Sequence, residues 1–256
     1  MDLKVGRLSS RELDRYSRQI MIEGIGEEGQ MRLRSSTVGV MGVGGLGSPA
    51  TIYLVAAGVG RVILADYQVP EVSNLNRQIV HWEEDVAERR SKAESAAWKA
   101  RALNSDVEIE AKKVRVTAEN VGEVFAGADI ILDCLDDFSP RYLLNEYCVR
   151  EGIPFIHAAV EGFNGQVTTI VPGVTPCLKC VFPVSPPKKP HFPIVGVAAG
   201  LFGVLEAAEA IKLTAGVGEP LLSRLLVGDL LHNHFETIEL CREDSCEICS
   251  HLPRKK

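Results

Sequence analysis

Short apolar runs alternate with helical patterns along the first 160 residues. Residues 37–41 and 61–66 are rich in β-branched and aliphatic side chains, and each run has the length of a buried strand. The glycine-rich loop GVGGLG, residues 42–47, follows the first run. Residues 48–57 predict a helix, which the segment Gly58-Val59-Gly60 would end. The sequence therefore predicts a strand, a glycine loop, a helix and a second strand within about 30 residues.

The pattern continues over the rest of the chain and changes in character near residue 160. The other predicted helices lie at residues 9–34 (two helices, with Ser9 or Ser10 capping the first and Gly24 and Gly26 between them), 86–103, 140–151 and 196–214. The other predicted strands lie at residues 107–116, 128–134, 154–159, 165–171, 223–229 and 235–240. Strands alternate with helices before residue 160, whereas we expect turns to join the last three strands.

This order of elements predicts the α/β class. The expected fold is a Rossmann-like doubly wound sheet, parallel in its N-terminal half, with antiparallel strands appended. At 256 residues the chain is long enough for one sizeable core, and we expect a single domain over residues 1–256.

Composition and charge exclude several classes of protein. Apolar residues make up 46% and charged residues 24%, as in ordinary globular proteins, and the net charge of −6 is unfavourable for a nucleic-acid surface. No run of 18 apolar residues occurs, because glycines break the longest apolar stretch, residues 194–205. The first fifteen residues are polar and lack the apolar core of a signal peptide. We therefore expect a cytoplasmic protein with no membrane and no nucleic-acid partner.

Four cysteines form two CxxC pairs, Cys177 with Cys180 and Cys246 with Cys249. Two such pairs can place four thiolates around one tetrahedral zinc ion. A disulfide framework is one alternative, but a cytosolic chain keeps its thiols reduced. A redox CxxC is another, but it needs no partner pair 66 residues later. The spacing therefore favours structural zinc. The other three cysteines are expected to be buried structural thiols: Cys134, Cys148 and Cys241.

The glycine loop and a carboxylate beyond it form a candidate nucleotide site. Gly42, Gly44 and Gly45 would present backbone amides at a helix N-terminus, where phosphate binds favourably. Asp66 ends the second strand, where a carboxylate can accept a hydrogen bond from a ribose hydroxyl. A glycine loop alone can also be a tight strand–helix junction, and both NAD and ATP would satisfy this pair of features.

Further charged residues distinguish between those two nucleotides. The polar segment SNLNRQ, residues 73–78, follows the nucleotide crevice, Lys92 opens a later helix, and Asp136 follows another strand. Arg18 adds a further cation near the N-terminus. Taken singly, Lys92 would be an ordinary solvated helix residue. Together these groups suit a reaction that releases pyrophosphate, because cations stabilise the phosphates and a carboxylate binds magnesium.

These motifs together resemble the MoeB/ThiF/HesA family, bacterial relatives of ubiquitin-activating enzymes. The resemblance rests on RYSRQI, GVGGLG, the strand-ending Asp66, SNLNRQ, Lys92, DCLDD and the paired CxxC motifs, in the family's order, over residues 12–250. It implies a homodimer that uses ATP and magnesium to adenylylate the C-terminal glycine of a small ubiquitin-like sulfur-carrier protein. It also implies a nucleotide-binding half over about residues 35–160 and a carrier-binding and zinc half over about residues 161–256.

The resemblance also implies roles for single residues. Asp66 would hold the ribose and Asp136 would bind magnesium, while Arg18 would reach the γ-phosphate from the partner subunit. Asn74, Arg77 and Lys92 would contact phosphate groups. The catalytic residues would be Arg18, Arg77, Lys92 and Asp136. The nucleotide site as a whole would comprise Gly42, Gly44, Gly45, Asp66, Ser73, Asn74, Asn76, Arg77, Gln78, Lys92, Leu135 and Asp136.

The sequence departs from the family pattern at three places. Lys92 lies two residues further from Arg77 than in typical members, and Asp137 stands where the family often has asparagine. The loop of residues 181–193, which usually carries a cysteine, contains none. A thiolate cannot be replaced by the serine or histidine of this loop without a change of chemistry. We therefore expect the reaction to stop at the acyl-adenylate.

Sulfur would then come from a separate donor protein, because no rhodanese extension follows residue 249. Two other functions remain as alternatives. One is an NAD-dependent oxidoreductase that uses the same glycine loop, and the other is a carrier-binding scaffold that has lost turnover. No residue indicates which carrier is used, whether of the molybdopterin, tungsten-cofactor, thiamin, cysteine or tRNA-thiolation pathway.

Overall fold

A single eight-stranded sheet forms the centre of the computed structural model, which describes residues 7–185 and 192–253. The strands, in chain order, are β1 Thr37–Met41, β2 Arg61–Ala65, β3 Glu108–Lys112, β4 Ile130–Asp133, β5 Phe155–Glu161, β6 Asn164–Ile170, β7 Arg224–Asp229 and β8 His234–Glu239. Their spatial order is β3-β2-β1-β4-β5-β6-β7-β8.

The first five strands are parallel and the last three are antiparallel to their neighbours. β1 lies between β2 and β4, with Val38 paired to Val62 on one side and to Ile130 on the other. β5 pairs parallel with β4 and antiparallel with β6. The predicted Rossmann-like sheet with appended antiparallel strands is confirmed.

Helices cover both faces of this sheet. Their bounds are α1 Ser10–Arg15, α2 Ser17–Ile20, α3 Gly26–Ser35, α4 Gly47–Ala57, α5 Glu83–Ala87, α6 Lys92–Leu103, α7 Val121–Val124, α8 Phe138–Glu151, α9 Leu178–Val181 and α10 Gly196–Ala215, with a 3₁₀ turn at Val72–Asn74. No helix within the described ranges is long and apolar enough to cross a membrane.

Alternation along the strands divides the core into two layers. Val38 and Val40 of β1 pack with α3, α4, α6 and α10, whereas Met41 packs on the opposite face with α7, α8 and α9. The other parallel strands divide their side chains in the same way, because successive residues of a strand point to opposite faces. The central strands are therefore buried on both sides, as a parallel sheet requires.

Two predicted elements are shorter or more divided than the sequence pattern suggested. The predicted helix over residues 86–103 is interrupted by Arg89, whose φ of 52° is left-handed. α6 starts afresh after Ser91, which forms a capping box with Glu94. The predicted strand over residues 107–116 stops at Lys112, because its only neighbour, β2, ends at the paired Ala65.

Three further differences concern the N-terminal helices, the connections between the C-terminal strands and Cys241. The predicted pair of helices over residues 9–34 is three helices, because Tyr16 leaves helical geometry between α1 and α2. Ser9, rather than Ser10, provides the N-cap. The strands of the C-terminal half are not all joined by turns, because α9 and α10 lie between β6 and β7. Cys134 and Cys148 are buried as expected, but Cys241 is exposed, which corrects that prediction.

Glycine is required at positions 58 and 60 for different reasons, although the sequence suggested that both end α4. Gly58 ends α4 with a left-handed φ of 83°, as predicted. Gly60 has no such conformation; instead, a Cβ there would lie 1.8 Å from the carbonyl oxygen of Arg34. The second glycine therefore permits backbone contact between β2 and the end of α3.

Candidate functional site

The glycine loop passes from β1 into α4 through contacts that leave no room for side chains. Gly42 has a left-handed φ of 93°, and its amide donates a 2.9 Å hydrogen bond to the carbonyl of Ala65. A Cβ on Gly47 would lie 2.0 Å from the carbonyl oxygen of Gly42. No side chain caps the start of α4. The backbone satisfies part of this N-terminus, because the amide of Ser48 donates to the carbonyl of Gly44 and the amide of Ala50 to the carbonyl of Leu46. An anion suits the loop amides that precede the helix.

Helix α10 packs its backbone closely against the glycine loop. A Cβ on Gly203 would lie 2.2 Å from the carbonyl oxygen of Leu46, so the helix backbone touches the loop directly. A Cβ on Gly196 would lie 2.3 Å from the carbonyl oxygen of Asn76. One helix thus contacts both the glycine loop and the segment of residues 73–78.

Asp66 lies beside the glycine loop, where the sequence placed it. Its two carboxylate oxygens accept 2.9 Å hydrogen bonds, one from the amide of Val43 and the other from the amide of Gln68. Burial raises the pKa of Asp66, and the charge of Lys92 together with these two amides opposes the rise. The carboxylate therefore holds the loop in its present shape and stands at the position expected for a ribose contact.

Lys92 is a buried residue and not a solvated one. Its Nζ donates a 2.6 Å hydrogen bond to Oε1 of Gln68, and only 4% of the residue is exposed. Burial lowers the pKa of the Lys92 ammonium, an effect that the carboxylates of Asp66 and Asp136 oppose. The charge of Arg77 acts in the same direction as burial. These four charged groups therefore interact at one edge of the sheet.

The segment of residues 73–78 curls around the guanidinium of Arg77. Arg77 Nη1 donates to the carbonyl of Ser73 at 3.0 Å and to Oδ1 of Asn76 at 2.9 Å. Asn74 caps the 3₁₀ turn by accepting from the amide of Glu71. Gln78 is buried, with its amide nitrogen near Gly44. The segment is a preformed loop with one half-buried cation facing the glycine loop.

Leu135, Asp136 and Asp137 follow β4 at the same edge. Asp136 is exposed, so its carboxylate is accessible to a cation and a phosphate. Asp137 has a structural role, because its Oδ1 accepts from the amide of Ser139 and caps α8. The extra carboxylate that departs from the family pattern is therefore used by the helix.

Arg18 lies apart from the charged groups of this edge. It belongs to α2 and is exposed. Within the described ranges, its side chain makes no hydrogen bond or ion pair. One chain by itself thus brings together every predicted nucleotide-site residue except Arg18.

A buried chain of hydrogen bonds contacts the glycine loop, and the sequence pattern did not indicate it. His81 Nε2 lies 2.8 Å from the carbonyl oxygen of Val43, and its Nδ1 lies 2.9 Å from the hydroxyl of Ser95. Ser95 in turn accepts from Lys99, which pairs with the buried carboxylate of Asp85. The consistent assignment puts the imidazole proton on Nε2, where it donates to the loop. Because the partners are 14 and 38 residues away along the chain, no local pattern indicated them.

The four cysteines of the CxxC pairs form a second candidate site. Their Sγ atoms all lie within 4.8 Å of one another. Measured separations are 3.9 Å for Cys177 to Cys180, 3.6 Å for Cys177 to Cys246 and 3.5 Å for Cys180 to Cys249. These distances exclude disulfides, whose sulfurs are about 2.05 Å apart. Tetrahedral ligands about 2.3 Å from a zinc ion would lie about 3.8 Å apart, so the geometry fits that metal.

The cysteine cluster joins α9 to the C-terminal segment. Three of its four residues are buried, and Val149 and Leu252 pack around them. Burial raises the pKa of Cys180 to about 11 and raises that of Cys177 as well. Burial also acts to raise the pKa of Cys246, but hydrogen bonds from the backbone and from the neighbouring thiols outweigh it and lower this pKa. A bound cation would favour the charged form of all four thiols. The cluster is thus suited to bind a soft metal ion and, with it, to fasten the end of the chain.

We predict that His81 makes folding pH-dependent. Burial lowers its pKa from 6.5 to about 4, so the unfolded chain binds the proton first. This contribution to stability is complete above pH 6.5 and is lost as pH falls towards 4. Between these values wild type should lose up to about 1.4 kcal/mol per pH unit more than His81→Gln. Urea unfolding of both proteins at several pH values measures the difference, and equal slopes would contradict the prediction.

Comparison with known proteins gives a consistent result. Residues 16–250 match the ThiF family. The SAMP-activating enzyme E1 of Haloferax volcanii is 46% identical over 94% of this chain and 90% of that protein. The sulfur carrier protein adenylyltransferase of Thermus thermophilus is 40% identical over 98% of this chain and 95% of that protein. The crystal structure of E. coli MccB with MccA-N7isoASN shares the fold, with a TM-score of 0.85 at 24% identity over 95% of this chain and 76% of that one. In agreement with its sequence motifs, the chain belongs to the ThiF family.

Proposed function

We propose that this chain adenylylates the C-terminal glycine of a small ubiquitin-like sulfur-carrier protein, using ATP and releasing pyrophosphate. The observation that carries the proposal is the convergence of Asp66, Arg77, Lys92 and Asp136 beside the uncapped start of α4. The Thermus thermophilus relative is a sulfur carrier protein adenylyltransferase, which supports the same substrate class.

Catalysis would depend on position and charge. The carrier's carboxylate attacks the α-phosphorus of ATP in line with the departing pyrophosphate, so no general base is required. The glycine-loop amides hold the phosphates, and Asp66 holds the ribose. Arg77 and Lys92 stabilise the negative charge that grows on the leaving pyrophosphate.

Asp136 offers a hard oxygen ligand and is therefore suited to magnesium. Magnesium typically takes one or two protein carboxylates and completes its coordination with substrate phosphates and water. When bound, the ion supplies charge neutralisation on the phosphates. The residue's exposure, next to the buried cation Lys92, leaves it free to face the nucleotide.

The NAD-dependent alternative is less consistent with this edge. Hydride transfer needs an apolar slot for the nicotinamide, whereas the crevice beyond the glycine loop is bordered by two carboxylates and two cations. A carrier-binding scaffold would have the same fold, and only turnover distinguishes it from an enzyme.

We expect carrier-dependent exchange of labelled pyrophosphate into ATP, assayed with a panel of ubiquitin-fold carriers that end in Gly-Gly. Asp136→Ala and Arg77→Ala should each lower the exchange rate by about 100-fold or more, because they remove charge stabilisation of the transition state. Asp137→Asn is the matched control, since asparagine keeps the capping oxygen and exchange should continue. Tight NAD binding without exchange would support the oxidoreductase, and carrier binding without exchange would support the scaffold.

We also propose that no covalent bond forms between this enzyme and its carrier. The loop of residues 181–193 has no cysteine, and part of it, residues 186–191, lies outside the described residues. Cys134 is near the crevice, but burial raises the pKa of its thiol, which donates to the buried Glu206. Sulfur would accordingly be delivered to the acyl-adenylate by a separate donor protein.

Intact-mass measurement after incubation with carrier, ATP and magnesium tests this step. We expect adenylylated carrier and enzyme of unchanged mass, because neither the loop nor Cys134 offers an accessible thiolate. A thiol-sensitive adduct between enzyme and carrier would refute the proposal, and peptide mapping would locate the cysteine responsible.

We propose that the cysteine cluster holds one structural zinc ion. Purified protein should contain about one equivalent, because four convergent thiolates form a closed tetrahedral site. Cys246→Ser should lose the metal and melt at a lower temperature, since the ion contributes to folding. Cys241→Ser is the control, because this cysteine lies on the same segment but outside the cluster. Zinc well below one equivalent in wild type would contradict the proposal.

The active form is proposed to be a homodimer in which Arg18 serves the neighbouring subunit's nucleotide. Arg18 lies outside its own chain's charged edge, and the exposed apolar residues Met21 and Ile22 follow it. Such a surface can pack against a second copy. The nucleotide site, over about residues 35–160, would then be completed across the interface, while about residues 161–256 would receive the carrier and the zinc.

Mixing Arg18→Ala protein with Asp136→Ala protein tests the arrangement. After subunit exchange, half of the dimers are mixed, and each of these contains one site with both residues intact. Activity should therefore recover to about a quarter of the wild-type value. A mixture that exchanges subunits but stays inactive would show that Arg18 does not act across the interface.

A further inference from the structure

A buried charged cluster lies directly beneath the loop that carries Asp136. Arg141 of α8, Asp133 of β4 and His157 of β5 are each at least 97% buried. Nη1 of Arg141 donates to Oδ2 of Asp133 at 3.1 Å, and Nδ1 of His157 lies 2.7 Å from the same oxygen. Nη1 of Arg141 also lies 2.8 Å from Nδ1 of His157, and Nε2 of His157 lies 3.4 Å from Nε2 of Gln166. None of these groups has a part in the mechanism above.

The guanidinium of Arg141 also donates hydrogen bonds to the main chain of two segments, β5 and the residues that follow β4. Nη1 of Arg141 donates to the carbonyl of Ala158 on β5 at 2.6 Å, and Nη2 donates to the carbonyl of Leu135. The Leu135 carbonyl belongs to the peptide group that joins Leu135 to Asp136. Because a peptide group is planar, fixing its oxygen also fixes the direction in which the chain enters Asp136.

The contacts between Arg141 and Asp133 differ from those of a bidentate arginine–carboxylate ion pair. Arginine and a carboxylate pair most strongly through two parallel hydrogen bonds. Here Oδ1 of Asp133 and Nε of Arg141 have no hydrogen-bond partner among the described residues. Arg141 instead spreads its contacts over one carboxylate oxygen, Nδ1 of His157 and two main-chain carbonyls. The guanidinium of Arg141 is therefore oriented towards main-chain carbonyls and not towards both oxygens of Asp133.

We infer that Arg141 is a positioning residue for the adenylylation site: it fixes the Leu135–Asp136 peptide so that the Asp136 carboxylate meets the metal–nucleotide complex. This inference rests on the proposed function. Asp133 supplies the compensating charge that permits a buried guanidinium, and the ring of Phe138, 5.5 Å from the guanidinium carbon, covers it.

Arg141→Lys is the most direct test. Lysine keeps a positive charge beside Asp133 but cannot bridge two carbonyls with a planar fork. Arg150→Lys is the matched control, because Arg150 lies on the same helix, is exposed, and contacts the carboxylate of Glu151 and the ring of Tyr147 but not residues 135–139. The first measurement is amide hydrogen exchange of residues 135–139 in protein without nucleotide or added metal. The second is calorimetric binding of a non-hydrolysable ATP analogue, with and without Mn²⁺.

We expect exchange at residues 135–139 to be about ten-fold faster in Arg141→Lys, with β1 unaffected. Affinity for the Mn²⁺ complex of the analogue should fall about ten-fold, while affinity for the metal-free analogue stays constant. Arg150→Lys should match wild type in both measurements.

A second variant covers the case in which Arg141→Lys does not fold. The double variant Asp133→Asn with Arg141→Met removes both charges, so neither charged group is left buried alone. Its reference is wild type. The double variant should show the faster exchange at residues 135–139, with β1 unaffected, and weaker Mn²⁺–nucleotide binding.

Unchanged exchange at residues 135–139 would overturn the inference, whatever the activity of the chain. Faster exchange throughout the protein, β1 included, would also overturn it, because Arg141 would then be a general structural residue. Failure of wild type to bind the nucleotide, with or without Mn²⁺, would instead refute the proposed function and, with it, the role of Asp136 that Arg141 serves.

Discussion

Backbone contact without intervening side chains is the constraint on which this structure depends. The start of α4 touches the end of β1 at Gly47, and α10 touches the glycine loop at Gly203 and the following polar segment at Gly196. A single added methyl group at any of these positions would meet a carbonyl oxygen 2.0–2.3 Å away. The glycine loop, the segment of residues 73–78 and α10 are therefore fitted together as one unit.

The charges at the sheet edge acquire their chemistry from this close packing. Lys92 and Asp66 are both buried, and each shifts the pKa of the other towards the charged state while burial acts against it. Such pairs are already desolvated before a substrate arrives. Little reorganisation is then needed as charge moves to the pyrophosphate, which is the basis of electrostatic catalysis.

Two buried hydrogen-bond networks support the loops at this edge of the sheet. His81 bonds to the glycine loop through the Val43 carbonyl, and Arg141 bonds to the Asp136 loop through the Leu135 carbonyl. In both, a buried side chain donates a hydrogen bond to a main-chain oxygen, from 38 residues away for His81 and from six residues away for Arg141. Residues that never touch the substrate can thereby determine where the contacting residues stand.

The sequence by itself determined the class of fold, the glycine loop, the strand-ending Asp66 and the grouping of the four cysteines, because these follow from hydrophobic period, turn chemistry and fixed spacing. Tertiary structure decided what depends on distant partners. It buried Lys92 against Gln68, left Cys241 exposed, and set His81 and Arg141 beneath the site. Those roles arise when separate strands end at one edge of a sheet, and no local pattern encodes which side chains will meet there.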